Sequence, residues 1–146
     1  IFPWIYFEKE IESALKNRHV YFLMAHQGRI IGYVKIGVGN TYIHDFDKNI
    51  VFQTGIAFIY DTFVLPEYRG KRLALFALNE ISQYLKDRNY KKIFCHIEDW
   101  NVPSVKTFQN AGYKELGRIR FIRLAKFPFF MRSGYVPCLN FEKYLQ

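Results

Sequence analysis

Between Phe63 and Leu78 the chain reads FVLPEYRGKRLALFAL. An apolar strand runs through a proline into Arg69, Gly70, Lys71 and Arg72, and then directly into an apolar helix. Residues of these types in this order suit a phosphate. The start of a helix presents N–H groups that have no partner within the helix, together with a partial positive charge. Gly70 lets a ligand approach the backbone closely, and the three cations add attraction for an anion. A solvated helix cap would use the same residues, so the corner alone does not decide. A second patterned stretch, NVPSVKTFQNAGY, runs from Asn101 to Tyr113.

The elements that must hold these residues follow from periodicity. Tyr6 to Asn17 has apolar or small residues at Phe7, Ile11, Ala14 and Leu15, the spacing of a helix. RHVYFLMAHQGRIIGYVKIGV predicts two strands turning at Gln27-Gly28. Gly39 to Gln53 is polar and mixed, and is expected to be a loop or excursion between strands. IAFIYDTFVL is a strand rich in β-branched and aromatic residues that ends at Pro66, which cannot donate to a ladder. Ala74, Ala77, Leu78, Ile81, Tyr84 and Leu85 mark a helical stripe that ends near Asn89, a residue suited to a left-handed stop. KKIFCHIE is the next strand. A short helix stopped by Gly112 follows, then the strand KELGRIRFIRLA. Alternating strands and helices imply an α/β (α+β) protein with helices against the faces of a sheet.

The two patterned stretches, with a strand between them, resemble those of the acyl-CoA-dependent N-acyltransferases of the GNAT superfamily. The first matches as Arg69-Gly70-Lys71-Arg72-Leu73-Ala74, the second through Asn101, Ser104, Phe108, Gly112 and Tyr113. The resemblance covers most of the chain and implies one domain over residues 1–146, with a mixed, mostly antiparallel central sheet flanked by helices. It implies acetyl-CoA or another acyl-CoA as cosubstrate and transfer of an acetyl group to a primary amine. In the family the strand before the loop holds the pantetheine arm, which assigns Phe63, Val64 and Leu65 to that task here. Arg72 stands where the family usually has glycine.

An acceptor amine is mostly protonated near neutral pH and must lose a proton before it attacks. Asp61, expected on the same face as Ile59 and Phe63, is the first candidate to take it, with Glu98 and its neighbour Asp99 as rivals. A strand N–H near Val64 is the candidate donor to the developing oxyanion. Relatives often place a tyrosine in the second helix to protonate the leaving thiolate; the matching residue here is Phe108, which cannot donate a proton. Tyr113 falls on a packing position. The tail from Phe121 is aromatic and basic; it reads as a last strand and core-filling segment, with Phe127, Phe129, Phe130 and Met131 as the alternative lining of an acyl or acceptor pocket.

The chain has 146 residues, of which 50% are hydrophobic and 19% aromatic, enough to bury a sizeable core and far from a disordered composition. No apolar run has the roughly 20 residues of a membrane helix and no signal-peptide pattern opens the chain, so a cytoplasmic protein is expected. Cys95, Cys138 and the scattered His19, His26, His44 and His96 have no metal-ligand spacing. A net charge of +8 favours anionic partners. Nucleic acid is disfavoured because the cations are interleaved with acids and no RNA-binding motif occurs. Partners expected are a small-molecule or peptide amine and no membrane, with a homodimer compatible. A coenzyme-binding module without chemistry is the alternative to an enzyme. The chain begins at Ile1 rather than methionine, which leaves room for an upstream element.

Overall fold

The structure, a computed structural model, describes residues 12, 14–43, 45, 48–124 and 127–134. A four-stranded sheet is ordered β1-β2-β5-β6, with β1 at Val20–His26, β2 at Arg29–Val38, β5 at Ile56–Val64 and β6 at Lys92–Cys95. β1, β2 and β5 pair antiparallel, and β6 runs parallel to β5. Helix α1, Leu73–Asp87, makes the crossover between those parallel strands, and helix α2, Val102–Asn110, follows β6. The mixed, mostly antiparallel sheet with flanking helices is as the sequence leads one to expect. No helix among the described residues is long and apolar enough to cross a membrane.

Local chemistry accounts for the turns. Gln27 and Gly28 both adopt positive φ, 49° and 75°, which is the requirement of a two-residue hairpin whose twist matches its strands. Helix α1 ends where Asn89 takes φ 63°, and Gly112 at φ 85° follows the end of α2. Residues 12 and 14–16 are helical, within the stretch expected to be a helix; residues 1–11 and 13 lie outside the described residues.

Two differences from the sequence reading concern the strands. Residues 39–53 are not a loop: β3, Asn40–Ile43, and β4, Lys48–Val51, form a hairpin. Its polar composition hid the pattern: the apolar residues turned inward are Ile43, Ile50 and Phe52, which pack on Phe58, while a fourth buried position is the polar Thr41. The strand read from KKIFCHIE is shorter, ending at Cys95. The aromatic tail contributes β8, Phe127–Gly134, which pairs antiparallel with β7, Gly117–Leu124, in a separate two-stranded sheet. Residues 135–146, Cys138 among them, lie outside the described residues.

The sheet separates two environments. On one face Val34, Ile36, Ala57 and Ile59 meet Ala77, Leu78, Ile81 and Leu85 of α1 and Phe108 of α2, forming one buried apolar cluster. On the other, Phe58 is covered by the β3–β4 hairpin, with Tyr60, Phe94 and Ile119 packed alongside. Gly37 lets that hairpin approach, since a Cβ there would collide with the side chain of Thr41.

Candidate functional site

β5 and β6 stay paired only from Ile56 with Lys92 to Ile59 with Cys95. Beyond that β5 continues to Val64 while β6 has ended, so among the described residues the sheet opens along one side of β5. The N–H of Leu65 donates to the carbonyl of Ile31 on the β2 side, at 2.9 Å. Successive residues of a strand turn their backbone groups to opposite neighbours, so those of Thr62 and Val64 address the opening. Of the residues assigned to the pantetheine arm, Val64 therefore has the right backbone direction. Phe63 pairs with Tyr33, and Leu65 has its amide committed to Ile31.

The register of β5 on β2 slips at the start of this open length. Lys35 lies opposite Asp61 and Ile36 opposite Ile59, which leaves Tyr60 as the extra residue of a bulge. The bulge corrects the expectation that Asp61 shares a face with Ile59. Ile59 packs in the cluster under α1, whereas Asp61 bonds to residues of the opposite face. Simple alternation fails there because the bulge resets the strand's period.

On that opposite face Asp61 makes one hydrogen bond and one ion pair, both at Oδ2. The Tyr33 hydroxyl donates at 3.0 Å and the Lys35 ammonium lies at 3.2 Å. Among the described residues no hydrogen bond reaches Oδ1. The Asp61 side chain keeps 34% of its exposure, while that of Lys35 keeps 6%. Lys35 also lies over the rings of Tyr33 and Tyr21, at 5.3 and 5.9 Å, and Tyr33 stacks on Phe63 at 5.7 Å. Glu98, the rival acid, is exposed on the connection from β6 to α2, where its carbonyl accepts from the N–H of Asn101; Asp99 is exposed beside it.

At the far end of β5 a short 3-10 turn, Pro66–Tyr68, leads to the basic corner. Gly70 has φ 76° and Arg72, which is the N-cap of α1, has φ 58°; both are left-handed. That is why glycine suits the position of Arg72, and why arginine there carries strain. Arg72 makes no side-chain cap, so the first amides of α1, from Leu73 and Ala74 onward, lack the usual capping oxygen and are left for another acceptor. Arg69, Gly70, Lys71 and Arg72 are all exposed. Arg69 folds back over the ring of Phe63, and its Nε donates to the carbonyl of Val64 at 2.9 Å, one of the two residues facing the opening.

The second patterned stretch is largely structural in its contacts. The Asn101 side chain caps α2 by accepting from the N–H of Ser104 at 3.3 Å. Phe108 is buried in the cluster under α1, edge-on to Tyr113 at 5.1 Å. Burial pushes the Tyr113 phenol up to about 12 and the Cys95 thiol likewise to about 12, so neither is poised to exchange a proton near neutrality. Met131 is exposed, and the side chains of Phe127, Phe129 and Phe130 are not among those described. No cluster of potential metal ligands occurs among the described residues.

Four residues of this face escaped the sequence reading: Tyr33, Lys35, His19 and His96. A cation inside the apolar run YVKIGV was the available signal for Lys35. His19 donates through Nε2 to the carbonyl of Asn40 at 3.1 Å, which leaves Nδ1 to accept from the Tyr60 hydroxyl at 3.3 Å. Burial holds its pKa below the ordinary value despite the bond to Asn40. His96 pairs through Nε2 with Asp45 and stacks on Phe58, tying the β3–β4 connection to the end of β6. The histidines lie far from their partners in sequence, and only the fold joins them.

A strand that parts from its neighbour, an acid beside its bulge and an uncapped basic helix start beyond it thus lie in succession along β5 and its continuation. The chain belongs to the Acetyltransferase (GNAT) family, which it matches over residues 2–113. No curated protein matches it in sequence. Among solved structures it is similar to the aminoglycoside acetyltransferase AAC(6')-Iy in complex with a CoA-containing bisubstrate analog, with a TM-score of 0.64 and 18% identity over 85% of this chain and 84% of that one. It is also similar to the aminoglycoside acetyltransferase meta-AAC0020 from an uncultured soil metagenomic sample, in complex with sisomicin, at TM-score 0.62 and 13% identity over 86% and 81%. A third is the ribosomal-protein-S18-alanine N-acetyltransferase of Escherichia coli, at TM-score 0.62 and 19% identity over 82% and 66%. At these identities the likeness is one of fold.

Proposed function

We propose that this acetyltransferase moves an acetyl group from acetyl-CoA directly to a primary amine of a small molecule or polypeptide, with Asp61 as proton acceptor. The observation that carries this is the carboxylate of Asp61 itself. It sits beside the bulge where the sheet opens, with Oδ2 held by Tyr33 and Lys35 and Oδ1 left for a ligand. Glu98 has no comparable setting.

In this reading the amides at the start of α1, with Arg69, Lys71 and Arg72, hold the pyrophosphate. The arm lies along the opening against the backbone of Thr62 and Val64. Arg69 must then yield the Val64 carbonyl and swing toward the phosphates. The acceptor ammonium first gives a proton to Asp61 Oδ1; the freed nitrogen lone pair then attacks the thioester carbon, the C–N bond forms, the N–H of Val64 steadies the oxyanion, the nitrogen gives its next proton to water, and the C–S bond breaks. CoA leaves as thiolate, a tolerable leaving group given an ordinary thiol pKa of about 8.5, and takes its proton from water because Phe108 has none to give. Neighbours that act on aminoglycosides or on a ribosomal-protein alanine support amines of either kind as acceptors. A single domain working in the cytoplasm, alone or as a homodimer, completes the proposal.

The test is thiol release from acetyl-CoA with sisomicin and with a short alanine-initiated peptide, alongside calorimetric titration of acetyl-CoA. Asp61→Asn should cut turnover by about a hundredfold or more while acetyl-CoA still binds. Arg69→Ala with Arg72→Ala should weaken that binding. The buried Phe108, where relatives often have a proton donor, favours a second reading: a module that binds acyl-CoA without chemistry. Tight binding with no thiol release across a broad amine panel would select it.

A further inference from the structure

We propose that Lys35 is a positioning residue of the transfer reaction, its ammonium fixing the carboxylate of Asp61 so that one oxygen is spent on the protein and the other remains for the acceptor. The proposal rests on the reading of Asp61 as proton acceptor. Lys35 lies in the middle of β2, between the buried Val34 and Ile36, with its own side chain 6% exposed. A charge in such a place is costly to bring out of water, and an apolar side chain of similar length would pack there with no such cost. Stability alone therefore gives no reason for a lysine here.

Geometry gives one. Lys35 Nζ lies 3.2 Å from Asp61 Oδ2, and the Tyr33 hydroxyl reaches the same oxygen at 3.0 Å. An ion pair and a hydrogen bond on one oxygen stop the carboxylate from rotating freely about its last torsion. The ammonium is itself held, over the rings of Tyr33 and Tyr21. The bulge at Tyr60 is what brings Asp61 opposite Lys35, at the point where β5 begins to part from β6. Bulge, buried cation and aromatic floor thus converge on the orientation of one side chain. Tyr33, which shares the oxygen but carries no charge, is the weaker of the two anchors.

The experiment compares Lys35→Met, Lys35→Arg, Tyr33→Phe and the pair Lys35→Met with Asp61→Asn. Crystal structures of the first two need no acceptor. The Asp61 carboxylate should leave its place in Lys35→Met and keep it in Lys35→Arg; an unmoved carboxylate in Lys35→Met overturns the proposal. In steady-state kinetics with sisomicin or the alanine-initiated peptide, Lys35→Met should lower kcat at least tenfold with the KM for acetyl-CoA unchanged. Lys35→Arg should recover part of that loss, and Tyr33→Phe should lose less. Adding Lys35→Met to Asp61→Asn should lower kcat little further, since the lysine acts only through that carboxylate. Full turnover in Lys35→Met beside a dead Asp61→Asn overturns the positioning role and leaves Asp61 as base. Full turnover in Asp61→Asn sinks the base assignment, and this proposal with it. Thermal unfolding of the double variant at or above the parent's temperature would confirm that the lysine is not kept for stability; a large drop would count against the proposal.

Discussion

The two faces of β5 are built by different rules. Toward α1 the strand presents Ala57 and Ile59 to Ala77, Leu78 and Ile81, all of them nearly or wholly buried, and the contact is apolar throughout. Toward the other side, past the bulge, it presents Asp61 and Phe63 to Tyr33 and Lys35. The first face gains by burial and is free of charge. The second buries a cation and exposes part of an acid, and it leads to a corner where an arginine is held in a left-handed conformation. Costs of this sort persist where something other than stability is served.

The contrast is broken most severely from the packed side. Leu78 is fully buried between α1 and the sheet. Leu78→Ala removes apolar volume from the buried cluster and should cost about 2–5 kcal/mol. Urea unfolding with an unchanged slope would show it. Its counterpart on the open face, Lys35→Met together with Asp61→Asn, removes the buried cation and its partner at once and should leave the unfolding midpoint nearly in place. A loss of stability in that variant matching Leu78→Ala would mean that the open face is structural too.

Much of this division was legible in the chain. Helical spacing from Ala74 to Leu85 and the strand before Pro66 gave the packed face, because burial repeats with the period of its element. The basic corner was legible for a similar reason: cations, a glycine and a helix start are adjacent in sequence. The open face was not. Its polar contacts join Asp61 to Tyr33 and Lys35, His19 to Tyr60, and His96 to Asp45, pairs separated by as many as 51 positions. The bulge that brings Asp61 to its partners is one unpaired residue, with no signature in composition. The β3–β4 hairpin was hidden because its faces do not sort by polarity: Tyr42 and Val51 face water while Thr41 is buried.

A smaller effect sharpens the contrast at the corner. Arg72 has φ 58°, a conformation that glycine adopts freely and arginine adopts at a cost of about 1 kcal/mol. Arg72→Gly should therefore raise the stability of the free protein by about that amount, the reverse of Leu78→Ala. It should also weaken acetyl-CoA binding through the lost charge. The two readouts moving in opposite directions, one by thermal unfolding and one by calorimetry, would separate strain from function at a single position. Binding unaffected by the change would assign the pyrophosphate to Arg69, Lys71 and the backbone alone.

The smallest effect tests whether the open face also tolerates charge where it is least prepared for it. His19 is half-buried, donates to the carbonyl of Asn40 and accepts from the Tyr60 hydroxyl, with the Thr41 hydroxyl nearby. None of these groups is an anion, and burial lowers the histidine's folded-state pKa beneath the ordinary 6.5. The unfolded chain then takes up the proton at a higher pH than the folded one. The stability tied to neutral His19 is complete above the unfolded value and drains away as the pH falls through the folded one. Thermal unfolding followed from about pH 7 down to about pH 5 should show that loss, of below about 1 kcal/mol. In His19→Gln, whose amide can still donate to Asn40, this part of the slope should flatten. An unchanged slope would place the acid sensitivity elsewhere, and would mean that the Tyr60 hydroxyl can give up its acceptor without the bulge beside Asp61 registering it.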